Sequence, residues 1–184
     1  LKEFGFDVCV MVSEGVGANQ NNFRSKLRQK ILELMKEAGP GHVAKDSIED
    51  LSEPICIEGL GLSISHAKTI GGFVLSRFHE HLGFDVEEVC RINSELVLRV
   101  SSDLELSQSP GAHFVWSAKE AVFKSLLKLE QPSVLAEITL HDWQLLAEEQ
   151  WQFSAKVAHH NDLIGSGIAW EEQDMVFALF ATNQ

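Results

Sequence analysis

Apolar positions along the 184-residue chain switch between two periods, and the switching predicts its elements. Phe4 to Val12 is an apolar run of strand composition, closed by a Gly/Asn-rich loop through Asn22. Phe23, Leu27, Ile31, Leu34 and Met35 then recur at helical spacing, with Gly39-Pro40-Gly41 as the stop. After an irregular stretch over 42–59, strands are predicted at Leu60 to Ser65, Gly72 to Phe78 and Leu82 to Glu87. The second half reads as a helix near 94–100, a polar loop through Pro110 and a long helix at about 117–129. Strands near 134–140, 151–157, 164–169 and 174–181 follow. The expected fold is α+β, two similar α/β lobes, each a helix on a mostly antiparallel sheet. The predicted division is residues 1–82 and 83–184, with a site where the lobes meet near 80–90.

Composition narrows the function classes. A 45% hydrophobic chain of this length can bury a sizeable core. Fifteen basic against 27 acidic residues give a net charge of −12, which excludes nonspecific nucleic-acid or anionic-membrane binding as an expectation. An anionic ligand would need a locally basic pocket. Cys9, Cys56 and Cys90 are odd in number and lack paired zinc spacing, so they are expected to be free, buried thiols in a reducing cytoplasmic setting. No apolar run reaches membrane-spanning length and the first residues lack signal-peptide character.

Chemistry concentrates in three segments. On a helical wheel Lys119 falls inside the apolar arc of Val115, Trp116, Val122, Phe123, Leu126, Leu127 and Leu129, where it must snorkel outward or meet an anion. Glu120 and Lys124 are one turn apart in the order that favours a helical ion pair. Ser117-x-x-Glu120 also has the form of a capping box, which would account for Glu120 without chemistry. In Leu82-Gly83-Phe84-Asp85-Val86-Glu87, strand alternation puts both carboxylates on one face, about 7 Å apart. That spacing suits a hard divalent cation, or else a solvated polar strand face. Ser63-Ile64-Ser65-His66 ends a strand and offers a histidine able to donate to phosphate, while hydrolase and zinc-protease spacings are missing.

In this order, Ser63-Ile64-Ser65-His66, Gly83-Phe84-Asp85-Val86-Glu87 and Trp116-Ser117-Ala118-Lys119-Glu120-(x)3-Lys124 resemble the 4'-phosphopantetheinyl transferase superfamily, in particular its two-lobed, surfactin-synthetase-activating type. The motifs span residues 54–129. The resemblance implies Mg²⁺-dependent transfer of phosphopantetheine from coenzyme A to a serine of an apo acyl or peptidyl carrier protein, with release of 3',5'-ADP. It implies Asp85, Glu87 and Glu120 as Mg²⁺ ligands and Glu120 as general base. Lys119, Lys124, Ser65 and His66 are implied at the phosphates, and Arg24 and Arg28 at the coenzyme A 3'-phosphate. The chain departs from the family at Ser52-Glu53-Pro54, where a basic residue commonly precedes the proline, and its N-terminal lobe is short. Two lobes in one chain imply a monomer. A noncatalytic coenzyme A or carrier-protein binding homologue is the alternative, and metal-dependent phosphodiester hydrolysis a third reading. Carrier contacts are expected at Val89, Arg91 and Ile92.

Overall fold

A computed structural model describes residues 8–13, 20–37, 59–68, 70–158 and 164–183 of the chain. The expectations for Ser52-Glu53-Pro54 and Cys56 lie outside these residues. Strands β1 (Val8–Ser13), β2 (Gly61–His66) and β3 (Ile70–Ser76) form an antiparallel sheet in the order β1-β3-β2. Helix α1 (Gln20–Glu37) connects β1 to this region and buries Leu27 and Ile31 completely. Strands β4 (Leu82–Glu88), β5 (Ile138–Ala147), β6 (Gln150–Val157), β7 (Gly165–Glu172) and β8 (Met175–Thr182) form a second antiparallel sheet, in the order β4-β8-β7-β6-β5. Between β4 and β5 come α2 (Ser94–Val100), α3 (Asp103–Gln108) and α4 (Ala112–Ser125). The architecture is α+β with two antiparallel sheets, of three and five strands among the described residues.

Helix α4 packs on one face of the larger sheet. Phe114, Val115, Ala118, Ala121 and Val122 meet Ile138, Leu140, Phe153, Ala155, Val176, Ala178 and Phe180 in one buried cluster. The opposite face of that sheet contributes Phe84, Val86, Phe177 and Leu179 to a second cluster, with Val74 and Ala67 from the smaller sheet's side. Strand alternation therefore turns Phe84 and Val86 away from α4 and leaves Gly83, Asp85 and Glu87 beneath it. Gly83 is required by close approach, since a Cβ there would lie 1.7 Å from the Ala121 carbonyl oxygen.

β4 is an edge of the larger sheet, so its outward amide groups need partners. The Phe84 N–H donates to Ser63 Oγ at 2.8 Å and the Val86 N–H to Ser65 Oγ at 3.2 Å. Alternate serines on β2 thus substitute for a backbone ladder and join the two sheets.

Several boundaries differ from the sequence expectation. β3 ends at Ser76, not Phe78, because Ser76 Oγ accepts the N–H groups of both Phe78 and His79 in a turn, leaving Phe78 71% exposed. The loop expected through Pro110 contains α3, capped by Ser102 Oγ, which accepts the Glu105 N–H at 3.2 Å. β5 begins later and runs further than expected, across a register shift at Asp142, whose φ is 55°. α4 begins five residues earlier than expected, at Ala112, so Ser117 is inside the helix and the capping box it was taken to start does not form. Cys90, expected to be buried, is exposed in the turn after β4. Among the described residues no helix is long and apolar enough to cross a membrane.

Candidate functional site

Asp85 is the hub of the junction between the two sheets. Only 2% of it is exposed, yet every oxygen has a partner. Its Oδ1 accepts from Lys124 Nζ at 2.6 Å and from Ser65 Oγ at 3.1 Å, and its Oδ2 accepts from Ser117 Oγ at 2.8 Å. Lys124 Nζ also donates to Ser65 Oγ at 3.0 Å. Ser65 Oγ therefore donates once and accepts twice, from the Val86 N–H and Lys124, which uses its full capacity. These contacts bring together β2, β4 and α4, the three elements that carry the sequence motifs. A carboxylate this buried is tolerated because an ammonium and two hydroxyls replace its hydration.

Glu87 and Glu120 stand beside the hub, both half-buried. Burial, and then the charge of Asp85, raise the Glu87 carboxyl above the ordinary glutamate range; Arg91 and Lys124 oppose the shift and Glu120 adds to it. Burial is also the largest cause for Glu120, whose carboxyl is likewise raised; Lys124 pulls it down and Asp85 pushes it up. Since α4 starts upstream, Glu120 has no capping duty. Lys124 reaches Asp85 across 39 residues, where the sequence favoured a helical pair with Glu120. Three carboxylates thus share one field with a single ammonium seated on Asp85.

The remaining sequence candidates occupy different places. Lys119 is 0% exposed and does not join the hub. Its Nζ lies 3.0 Å from Glu105 Oε1 and donates to the Ile138 carbonyl oxygen, so the phosphate contact expected of it is not available in this arrangement. Of the two options its place on the wheel left open, it takes the anion, and that anion is internal. Its ammonium is held below the ordinary lysine range by burial, against the pull of Glu105. His66 is the last residue of β2, half-buried and on the alternate strand face from Ser65. Arg28 is half-buried on α1 next to Leu27, one turn after Arg24, whose side chain lies outside the described residues.

Sequence reasoning missed Glu105, which is 4% exposed and binds both Lys119 and the Leu140 N–H. A Ser-x-x-Glu signature at Ser102–Glu105 was the available signal.

Among the described residues, no three His, Cys, Asp or Glu side chains converge closely enough to hold a metal ion. In kind, the donors at the hub suit a hard divalent cation: they are carboxylate oxygens, and two of the three groups are penalised for being ionised. Lys124 occupies Asp85 Oδ1, so a metal ion at that oxygen would require the contact to loosen. Beside Glu87 opens a cleft of about 150 Å³ lined by Glu87, Arg91, Ile92, Asn93, Leu96 and Trp116. That is below the roughly 300–1,000 Å³ of pockets that enclose a drug-sized ligand, so it accommodates part of a ligand or one side chain. Neither a protein-family model nor a curated protein matches this chain.

Proposed function

We propose that this protein transfers the 4'-phosphopantetheine group of coenzyme A to a serine hydroxyl of an apo carrier protein, with Mg²⁺, releasing 3',5'-ADP. One observation carries the reading: Glu120, with its carboxyl raised, stands at the same junction as Asp85, Glu87 and the Lys124 ammonium. A proton acceptor drawn toward neutral pH beside a cation is what attack by a weak hydroxyl nucleophile on a diphosphate needs. The serine oxygen bonds to the phosphorus of the phosphopantetheine phosphate. The bond from that phosphorus to the oxygen bridging the diphosphate breaks, the electron pair leaves with 3',5'-ADP, and the serine proton passes to Glu120. Mg²⁺ held by Asp85, Glu87 and Glu120 would supply positive charge to the diphosphate oxygens. Lys124 is the residue whose charge can pass from Asp85 to a phosphate when coenzyme A arrives. Ser65 orients both partners of that pair. His66, Arg24 and Arg28 are assigned to further phosphate contacts, and Lys119 is left out of the ligand set.

The alternative, a homologue that binds coenzyme A or a carrier protein without transferring, draws on Glu53, where a basic residue commonly precedes the proline, and on the short N-terminal lobe. Calorimetry addresses the shared part of both readings. Coenzyme A is expected to bind with Kd in the range of about 1 μM to 1 mM, tightened at least tenfold by Mg²⁺. Binding indifferent to Mg²⁺ would favour the noncatalytic homologue, and no binding at all would remove both.

A further inference from the structure

β5 is the other edge of the larger sheet, and α3 and α4 lie against it. Its pairing with β6 leaves the Leu140 N–H and the Ile138 carbonyl pointing away from the ladder. An edge buried in this way needs partners for those groups. Glu105 Oε1, from α3, accepts the Leu140 N–H at 2.7 Å, and Lys119 Nζ, from α4, donates to the Ile138 carbonyl. The two side chains close on each other at 3.0 Å, with Lys119 0% and Glu105 4% exposed. One ion pair therefore presents an acceptor and a donor to β5, as a neighbouring strand would. It pins α4 at the residue directly before Glu120.

We propose that Lys119 and Glu105 are positioning residues: by completing the β5 edge they set the placement of α4 along the sheet, and with it Ser117, Glu120 and Lys124 over Asp85. The catalytic part of this inference rests on the transferase reading; the structural part does not. A Lys119 serving as a phosphate ligand would be judged by coenzyme A affinity, whereas a positioning residue is judged by turnover.

The test is a cycle of Lys119→Met, Glu105→Gln and the double variant. Each single change leaves one buried charge unpaired, and is expected to lower the folding equilibrium constant roughly 150- to 5,000-fold. The double variant, with neither charge left, should return to within about tenfold of wild type, because glutamine still accepts the Leu140 N–H. In that folded double variant kcat for transfer should fall at least tenfold, with KM for coenzyme A changed by about twofold or less. A tenfold rise in KM would overturn the proposal in favour of phosphate binding by Lys119, and unchanged kcat would reduce the pair to fold stability alone. Hydrogen exchange separates these results from a failure of the transferase reading. Without any substrate, the α4 amides should exchange at least tenfold faster in the double variant, and unchanged α4 exchange would refute positioning even if the protein proved not to be a transferase.

Discussion

Glu120→Gln is expected to lower phosphopantetheine transfer by about 10²- to 10⁴-fold, the range for loss of a positioned general base. The amide keeps the shape of the side chain but cannot take the serine proton, and it is a poorer ligand for a hard cation. The same change should stabilise the protein at neutral pH. Burial raises the Glu120 carboxyl above its unfolded value, so the folded state holds the proton more tightly. Its stabilising contribution is complete below the unfolded pKa and is lost as pH rises through the folded pKa. Above the folded pKa the wild type has lost that contribution, and the glutamine variant has no such loss. Thermal unfolding should show a higher Tm for Glu120→Gln at pH 7, by ~2–4 °C for each kcal/mol recovered, and a smaller difference near pH 4. Full transfer activity in this variant would remove Glu120 from both of its assigned roles.

Asp85→Asn should produce the largest loss of stability at the junction. The carboxylate accepts from Lys124 at 2.6 Å, Ser65 at 3.1 Å and Ser117 at 2.8 Å. An asparagine has one acceptor oxygen, so it cannot accept at both ends, and it leaves Lys124 without its counter-charge. Breaking a buried pair from one side costs about 3–5 kcal/mol. The lower end applies because the Lys124 side chain keeps 31% of its exposure and water screens it in part. A loss of about 3 kcal/mol should appear as a lower denaturation midpoint at unchanged slope. Mg²⁺ affinity should fall at least tenfold in the same variant, measured by calorimetry on the folded protein. A midpoint equal to wild type would mean that Asp85 does not anchor β4 to α4 and β2.

The sequence made the site's parts legible through two signals, strand alternation and misplaced polarity. Alternation put Asp85 and Glu87 on one face of β4, and both stand under α4 in the fold. The apolar arc picked out Lys119 as a residue that either snorkels outward or meets an anion; it meets one, from a partner 14 residues away in a segment whose polarity hid a helix. Ser-x-x-Glu occurs at both 102–105 and 117–120. The first marks the start of α3 and the second is internal to α4, because the preceding Phe114 and Val115 have core to bury against and extend the helix backwards. The serines of Gly61-Leu62-Ser63-Ile64-Ser65 illustrate a different limit. The resemblance implied Ser65 at the phosphates, and in the fold Ser63 and Ser65 satisfy the amides of an edge strand, a requirement that exists only once β4 has paired with β8. The β5 register was hidden for a similar reason, since the left-handed Asp142 breaks the period on which strand recognition relies.

Intact-mass analysis of carrier proteins separates group transfer from binding. A panel of apo carrier proteins is incubated with this protein, coenzyme A and Mg²⁺, beside an EDTA control. At least one carrier is expected to gain the mass of a single phosphopantetheine, on serine, and EDTA to abolish the gain. No gain on any carrier, with coenzyme A shown to bind, would contradict the transferase and leave a coenzyme A binding protein; a gain that survives EDTA would contradict the metal role of Asp85, Glu87 and Glu120.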